Sequence, residues 1–158
     1  MSYKLSAEES AAIDVELGLR KRHLGRPVLV VEDNPLNREI TQLLLSKAGL
    51  KADAVDSGPA AVAQAAREAY SLIVMDIAMP GMDGVEAARQ IRELPGYDQT
   101  PIVALTACVF GQDRDYCLSG GLDDFLTKPV TVPRLYRTLL HWLDVGQGYE
   151  LPRPRQVL

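Results

Sequence analysis

The sequence predicts an α/β domain of the doubly wound type: three layers, with helices on both faces of one parallel sheet. Two observations carry that prediction. Between residues 27 and 143, short β-branched apolar runs alternate with longer stretches of helical periodicity. Parallel βαβ units with right-handed crossovers produce that order. The runs Val28–Val31 and Leu72–Met75 are also apolar throughout rather than alternating, as strands covered on both faces must be.

The strand segments are PVLVVE (27–32), ADAVD (52–56), SLIVMD (71–76), PIVALT (101–106) and DDFLT (123–127). Helical patterns lie between them. The first sets Ile40, Leu43, Leu44 and Lys47–Ala48 on one side and ends at Gly49. The second is Ala-rich from Pro59 to Ala69, and the third places Val85, Ala88 and Ile91 three residues apart. A fourth runs from about Gln112 to Leu118 and stops at Gly120-Gly121. The last carries Leu135, Leu139, Leu140 and Leu143. Glycine past a helix end and proline near a helix start are the expected punctuation.

The flanks differ from this core. Ser6 and Glu9 fit a capping box opening a helix to about His23, with Ile13, Leu17 and Leu24 near one stripe. So sparse a stripe is not a heptad seam. Residues 1–26 are therefore expected to be a helical linker on a domain spanning 27–145. Residues 146–158, with Pro152 and Pro154 between arginines, are expected to be an extended or disordered tail.

Composition narrows the function. The 158 residues include 17 Lys+Arg and 21 Asp+Glu, a net charge of −4, with 47% apolar content. That balance is ordinary for a soluble globular protein, and it lacks the basic excess a chain gripping phosphate backbones needs. The two cysteines, Cys108 and Cys117, match no metal-ligand spacing and are expected to be reduced thiols. The first residues lack the apolar core of an export signal, and no apolar run is long enough to cross a bilayer. A cytoplasmic protein without membrane contact is expected.

Sites in open parallel sheets form beyond the C-terminal strand ends. The first strand ends in Glu32-Asp33-Asn34, the third in Asp76, the fourth in Thr106, and the fifth runs into Lys128-Pro129. Three carboxylates gathered at one edge repel one another, and a hard divalent cation resolves the conflict. Mg²⁺ suits an all-oxygen set, and the absence of His and Cys disfavours zinc. A lysine beside the acids would neutralise a phosphoryl group, and a threonine hydroxyl would donate to it. The set suits phosphoryl transfer onto a carboxylate.

VVEDN (30–34), MDIAMPGMDG (75–84), ALTA (104–107) and GLDDFLTKPV (121–130) resemble, in order, the signature segments of the response-regulator receiver domain. The resemblance covers residues 27 to about 143. It implies a flavodoxin-like sheet of strand order 2-1-3-4-5 and a phosphoacceptor at Asp76. It also implies Mg²⁺ held by Glu32, Asp33, Asp76 and the Ala78 backbone carbonyl, a switch hydroxyl at Thr106 and its ion-pair partner at Lys128. The Lys128–Pro129 bond would be cis, and Phe125 would be a switch aromatic on the face around the last strand. Asn37-Arg38 and DRDYCL (113–118) are most similar to receivers of hybrid sensor histidine kinases. That likeness implies exchange of phosphoryl groups with a histidine kinase or histidine phosphotransfer protein; a free-standing receiver serving as interaction switch or phosphate sink is the alternative. Self-phosphorylation and slow autodephosphorylation are then the expected chemistry, rather than turnover of a substrate. Ala78 stands where hybrid-type receivers often carry a longer polar residue, which bears on water access to the acyl phosphate.

Rival functions fit less well. An aspartyl-phosphate hydrolase needs a second acid two residues after its nucleophile, where this chain has Ala78. A nucleotide or flavin site would need a G-x-G-x-x-G or Walker sequence, and neither is present. The short tail after Leu143 leaves no expectation of a helix-turn-helix or of direct DNA binding. His23, with no acidic sequence neighbour, and His141, before Trp142, are poor phosphodonors. Gly84 is expected to support a backbone turn that alanine would strain. A monomer is expected.

Overall fold

A computed structural model of the chain describes residues 4–79, 81–107 and 120–146. In chain order the elements are α1 (Ala7–Arg22), β1 (Pro27–Val31), α2 (Pro35–Lys47), β2 (Lys51–Val55), α3 (Gly58–Arg67), β3 (Leu72–Asp76), α4 (Gly84–Arg92), β4 (Ile102–Thr106), β5 (Asp124–Thr127) and α5 (Val132–Gly146). The strands form one parallel sheet of order β2-β1-β3-β4-β5. Every predicted strand is present, with each boundary within one residue of expectation. The fourth predicted helix, Cys108, Cys117 and the tail beyond Gly146 lie outside the described residues.

Side chains alternate across a strand, so the sheet feeds two cores. Leu29, Val31, Ile73, Met75, Ile102 and Ala104 point to the side covered by Ala61 and Ala65 of α3 and Val85, Ala88 and Ile91 of α4. Val28, Val30, Leu72, Val74, Val103 and Leu105 point to the other side, covered by Leu19 of α1, Leu45 of α2 and Leu135, Leu139 and Leu143 of α5. The central strands β1, β3 and β4 are buried almost throughout.

Local chemistry sets the helix starts. Ser6, Asn34, Ser57 and Asp83 each accept the backbone N–H three residues on, satisfying a donor that the first turn would otherwise leave open. Ser6 and Glu9 complete the expected capping box. Asn34, rather than Glu32 or Asp33, is the cap of α2, so both acids remain available for the site. Gly49 ends that helix at φ +90°, a conformation that glycine adopts without a Cβ penalty.

Two expected stripes are rotated. On α2 Leu45 is buried; of the expected stripe Leu44 packs against the core and Ala48, its C-cap, is buried, whereas Ile40 and Leu43 face solvent, Leu43 with 67% of its surface accessible. Helix α1 hides Gly18 and Leu19 and leaves Ile13, Leu17 and Leu24 exposed. Nor is His23 an unoriented linker residue. It is buried against Asp144 of α5, 121 residues away in sequence, a pairing that inspection of its sequence neighbours could not reveal.

The last strand is tied in by a side chain the sequence did not single out. Arg92 donates to the carbonyls of Tyr97, Thr100 and Gly121 and pairs with Asp123. It thereby joins the end of α4 to the approaches of β4 and β5.

Candidate functional site

The site lies at the C-terminal edge of the sheet. Asp76 is the last residue of β3, and Glu32 and Asp33 follow β1, its hydrogen-bonded neighbour. Thr106 ends β4, and Lys128 follows β5. Parallel pairing puts the four strand ends at one level, so residues from 32 to 128 converge. One carboxylate oxygen from each of Glu32, Asp33 and Asp76 lies within 4.8 Å of the others. Lys128 Nζ is 3.1 Å from Asp76 Oδ2 and 3.4 Å from Glu32 Oε1.

Burial makes this cluster electrostatically tense. Glu32 is 1% exposed and Asp76 4%, and charge is costly to keep away from water. Desolvation, a hydrogen bond with Asp76 and repulsion from its carboxylate together push Glu32 up to about 7, despite Lys128 and Asn37. Burial would raise Asp76 too. Hydrogen bonds from Glu32, the Ala78 N–H and Lys128 outweigh it and hold Asp76 below the usual carboxylate value. In Lys128, burial acts downward, but Asp76 and Glu32 prevail and raise it. Asp76 is thus the carboxylate kept ionised and Glu32 the one that retains a proton near neutrality. The proton relieves the repulsion that two adjacent buried charges would create.

Of the expected residues, Glu32, Asp33, Asp76 and Lys128 are brought together. Thr106 shares the edge, buried beside β3 and paired in register with Thr127, and its carbonyl accepts the Lys128 N–H at 2.7 Å. Ala78 follows β3 and donates its N–H to Asp76 Oδ1 at 3.0 Å. The Lys128–Pro129 bond is cis, as expected. Phe125 stands apart from the acids: it pairs with Ala104 and packs half-buried on the face covered by α3 and α4.

The chain matches the family described as response regulator receiver domain over residues 28–140. It belongs to that family. The receiver is 39% identical over 148 residues to sensor protein GacS of Pseudomonas syringae pv. syringae, covering 92% of this chain and 16% of that protein. With the histidine-protein kinase BarA of Escherichia coli K12 it shares 38% over 119 residues, 75% of this chain and 13% of the kinase. The receiver thus spans only a small fraction of the curated relatives it matches. A crystal structure of the receiver domain of sensor histidine kinase PA1611 from Pseudomonas aeruginosa PAO1 is 39% identical, with a TM-score of 0.71. The match covers 75% of this chain and 98% of that one, and that structure has magnesium coordinated in its active-site cleft. These matches make the chain a receiver of two-component signalling, close to the receivers of hybrid histidine kinases.

The receiver's own residues fit a hard cation. Glu32 Oε2 is buried and has no hydrogen-bond partner among the described residues, a desolvated lone pair that a metal ion would satisfy. The three acids offer oxygen alone, the donor type that Mg²⁺ takes.

One support for the site was not foreseen, and another acts differently from expectation. Arg38 Nη1 donates to the Glu32 carbonyl at 3.0 Å and to the Asp33 carbonyl at 3.4 Å, holding the acidic turn from the first turns of α2. A base five and six residues after an acidic pair is the only trace of this in sequence. Gly84 matters through space rather than through the strained turn expected of it. A Cβ there would lie 2.6 Å from both the Asp76 carbonyl oxygen and Ile77 Cα. Those are backbone atoms of the strand end that carries Asp76, so they cannot give way by rotamer change. Gly84→Ala is expected to cost about 1–3 kcal/mol in urea unfolding and to slow acyl-phosphate formation; unchanged values for both would refute the steric role.

Proposed function

We propose that this receiver accepts a phosphoryl group on Asp76 from a phosphohistidine. The observation that carries the proposal is the pairing of an ionised, nearly buried Asp76 with Lys128 at 3.1 Å. An Asp76 Oδ attacks phosphorus, the P–N bond breaks, and the imidazole of the donor leaves with the bonding pair and takes a proton. Lys128 neutralises charge on the phosphoryl oxygens, and the Thr106 hydroxyl donates to one of them. Glu32, Asp33, Asp76 and the Ala78 carbonyl would hold Mg²⁺, which supplies further charge neutralisation when bound. The residue two positions beyond Asp76 is Ala78, which offers no acid for fast hydrolysis, so the chemistry is self-phosphorylation with slow loss, not turnover.

Phosphorylation would draw Thr106 toward the new group and shift a two-state surface that includes Phe125. The donor or acceptor is a helix bearing His on a histidine kinase or phosphotransfer protein. It would seat on the exposed stripe Leu36, Ile40 and Leu43, four and three residues apart on α2. Beside that stripe runs a groove of about 510 Å³ that reaches from Ile40, Thr41 and Leu44 to Lys128 and Val130. In this reading residues 27–145 are the working unit, monomeric and cytoplasmic. No described helix is long and apolar enough to cross a membrane. Sedimentation at twice the 17.3 kDa chain mass would contradict the monomer.

The test is incubation with acetyl phosphate and Mg²⁺, followed by peptide mapping. One phosphoryl group on the peptide holding Asp76 is expected, lost on chelation of the metal beforehand. Label on another residue, or no label, would overturn the assignment.

A further inference from the structure

Helix α1 touches the receiver through an apolar contact centred on Leu19, a hydrogen bond from Arg20 Nη2 to the Lys47 carbonyl, and one buried polar cluster. Its only fully buried residues are Gly18 and Leu19. At Gly18 a Cβ would stand 3.2 Å from Leu140, so glycine there lets α1 approach α5 closely. At the C-terminal end of the same contact, Asp144 of α5 is 0% exposed. Arg22 Nε and Nη2 donate to its two oxygens at 3.0 and 2.7 Å, and His23 Nε2 lies 2.6 Å from Oδ1.

An acid in the last turns of a helix faces the negative end of the helix dipole, so α5 by itself disfavours Asp144. Its partners come from the last residue of α1 and its C-cap. A buried carboxylate with a bidentate guanidinium and a histidine specifies register more than it adds stability. It also makes separation reversible. When α1 leaves, Arg22, His23 and Asp144 all return to water together with the apolar contact of Leu19 and Val15.

We propose that α1 is a detachable strap on α5, held by a latch of Arg22, His23 and Asp144. The strap opens as a unit while the five-stranded core stays folded. This goes beyond the phosphoacceptor reading and does not depend on it. In its closed position α1 covers the α5 surface formed by Tyr136 and Leu140 and lines a groove with Val132 and Pro133. Those two residues begin the helix that follows Lys128.

Hydrogen exchange of the full chain tests the strap in two variants, Asp144→Asn and Arg22→Gln. In both, amides of residues 10–22 should exchange at least about tenfold faster, while those of β1 and β3 keep their protection. Labelling of Asp76 by acetyl phosphate should stay within about twofold of the parent. If α1 remains as protected as in the parent in both variants, the apolar contact alone holds it and the latch is refuted. If β1 and β3 lose protection together with α1 in both, α1 is inseparable from the core and the strap is refuted. Loss of Asp76 labelling in both variants, with the core still protected, would make α1 part of the reaction site and likewise overturn the proposal.

Discussion

Replacing Asp76 by Asn is expected to abolish acyl-phosphate labelling, a loss on the order of 10⁴-fold or more, as when a covalent nucleophile is removed. An amide oxygen lacks the charge that attacks phosphorus. The same variant should fold well. The carboxamide oxygen introduced by Asp76→Asn can still accept the Ala78 N–H that Asp76 Oδ1 takes. With one of two adjacent buried acids removed, Glu32 can ionise and pair with Lys128, 3.4 Å away. Metal-free stability should therefore rise by about 1 kcal/mol, a few degrees in melting temperature. Mapping after acetyl phosphate treatment and a thermal melt in chelator check both halves. Labelling at the parent level, or a melting temperature well below the parent's, would contradict this electrostatic picture of the pocket.

The second large effect is a dependence of metal-free stability on pH that Mg²⁺ reverses. The Glu32 carboxyl binds its proton more tightly folded, to about 7, than at its ordinary value of 4.5. Between those values the native state holds more protons than the unfolded chain, so stability falls as pH rises through this window. The whole change is about 3 kcal/mol; it is absent below 4.5 and complete above 7. Asp76 acts oppositely. Held below its ordinary 3.8, it contributes stability that is present above that value and lost as pH falls below it. A cation at the three acids needs Glu32 ionised, so the stabilisation given by Mg²⁺ should grow from about pH 5 to about pH 8. Melting curves with Mg²⁺ and with chelator, in the parent and in Glu32→Gln, measure this. An identical chelator slope in both proteins would remove Glu32 as its source.

Both effects draw on information of two kinds. Element boundaries and the residues at the strand ends follow from signals that act over a few residues, whereas the strand order was implied by the resemblance to receivers. A parallel strand buried on both faces must be apolar throughout, as Leu72–Met75 is, and a helix start needs a capping side chain, as Asn34 before Pro35 supplies. Because parallel strands align their C-terminal ends, naming Glu32, Asp33, Asp76, Thr106 and Lys128 as strand-end residues already gathers them at one edge. That is why so much of the candidate site was legible.

What the sequence could not decide depends on which surfaces meet. The faces of α1 and α2 were misjudged because Ile13, Leu17, Ile40 and Leu43 show helical spacing whether or not a neighbour covers them. Burial is a property of the packed pair, and Leu19 and Leu45 were chosen by the positions of α5 and the sheet. Gly84 reads as a turn that alanine would strain until the Asp76 carbonyl is seen 2.6 Å from where its Cβ would be. His23 and Asp144 each look solvated in their own sequence surroundings and become a buried pair only when the first and last helices lie side by side. Periodicity and capping are local and survive in the one-dimensional chain. Close approach, desolvation and pairing across 121 residues exist only once the chain has folded.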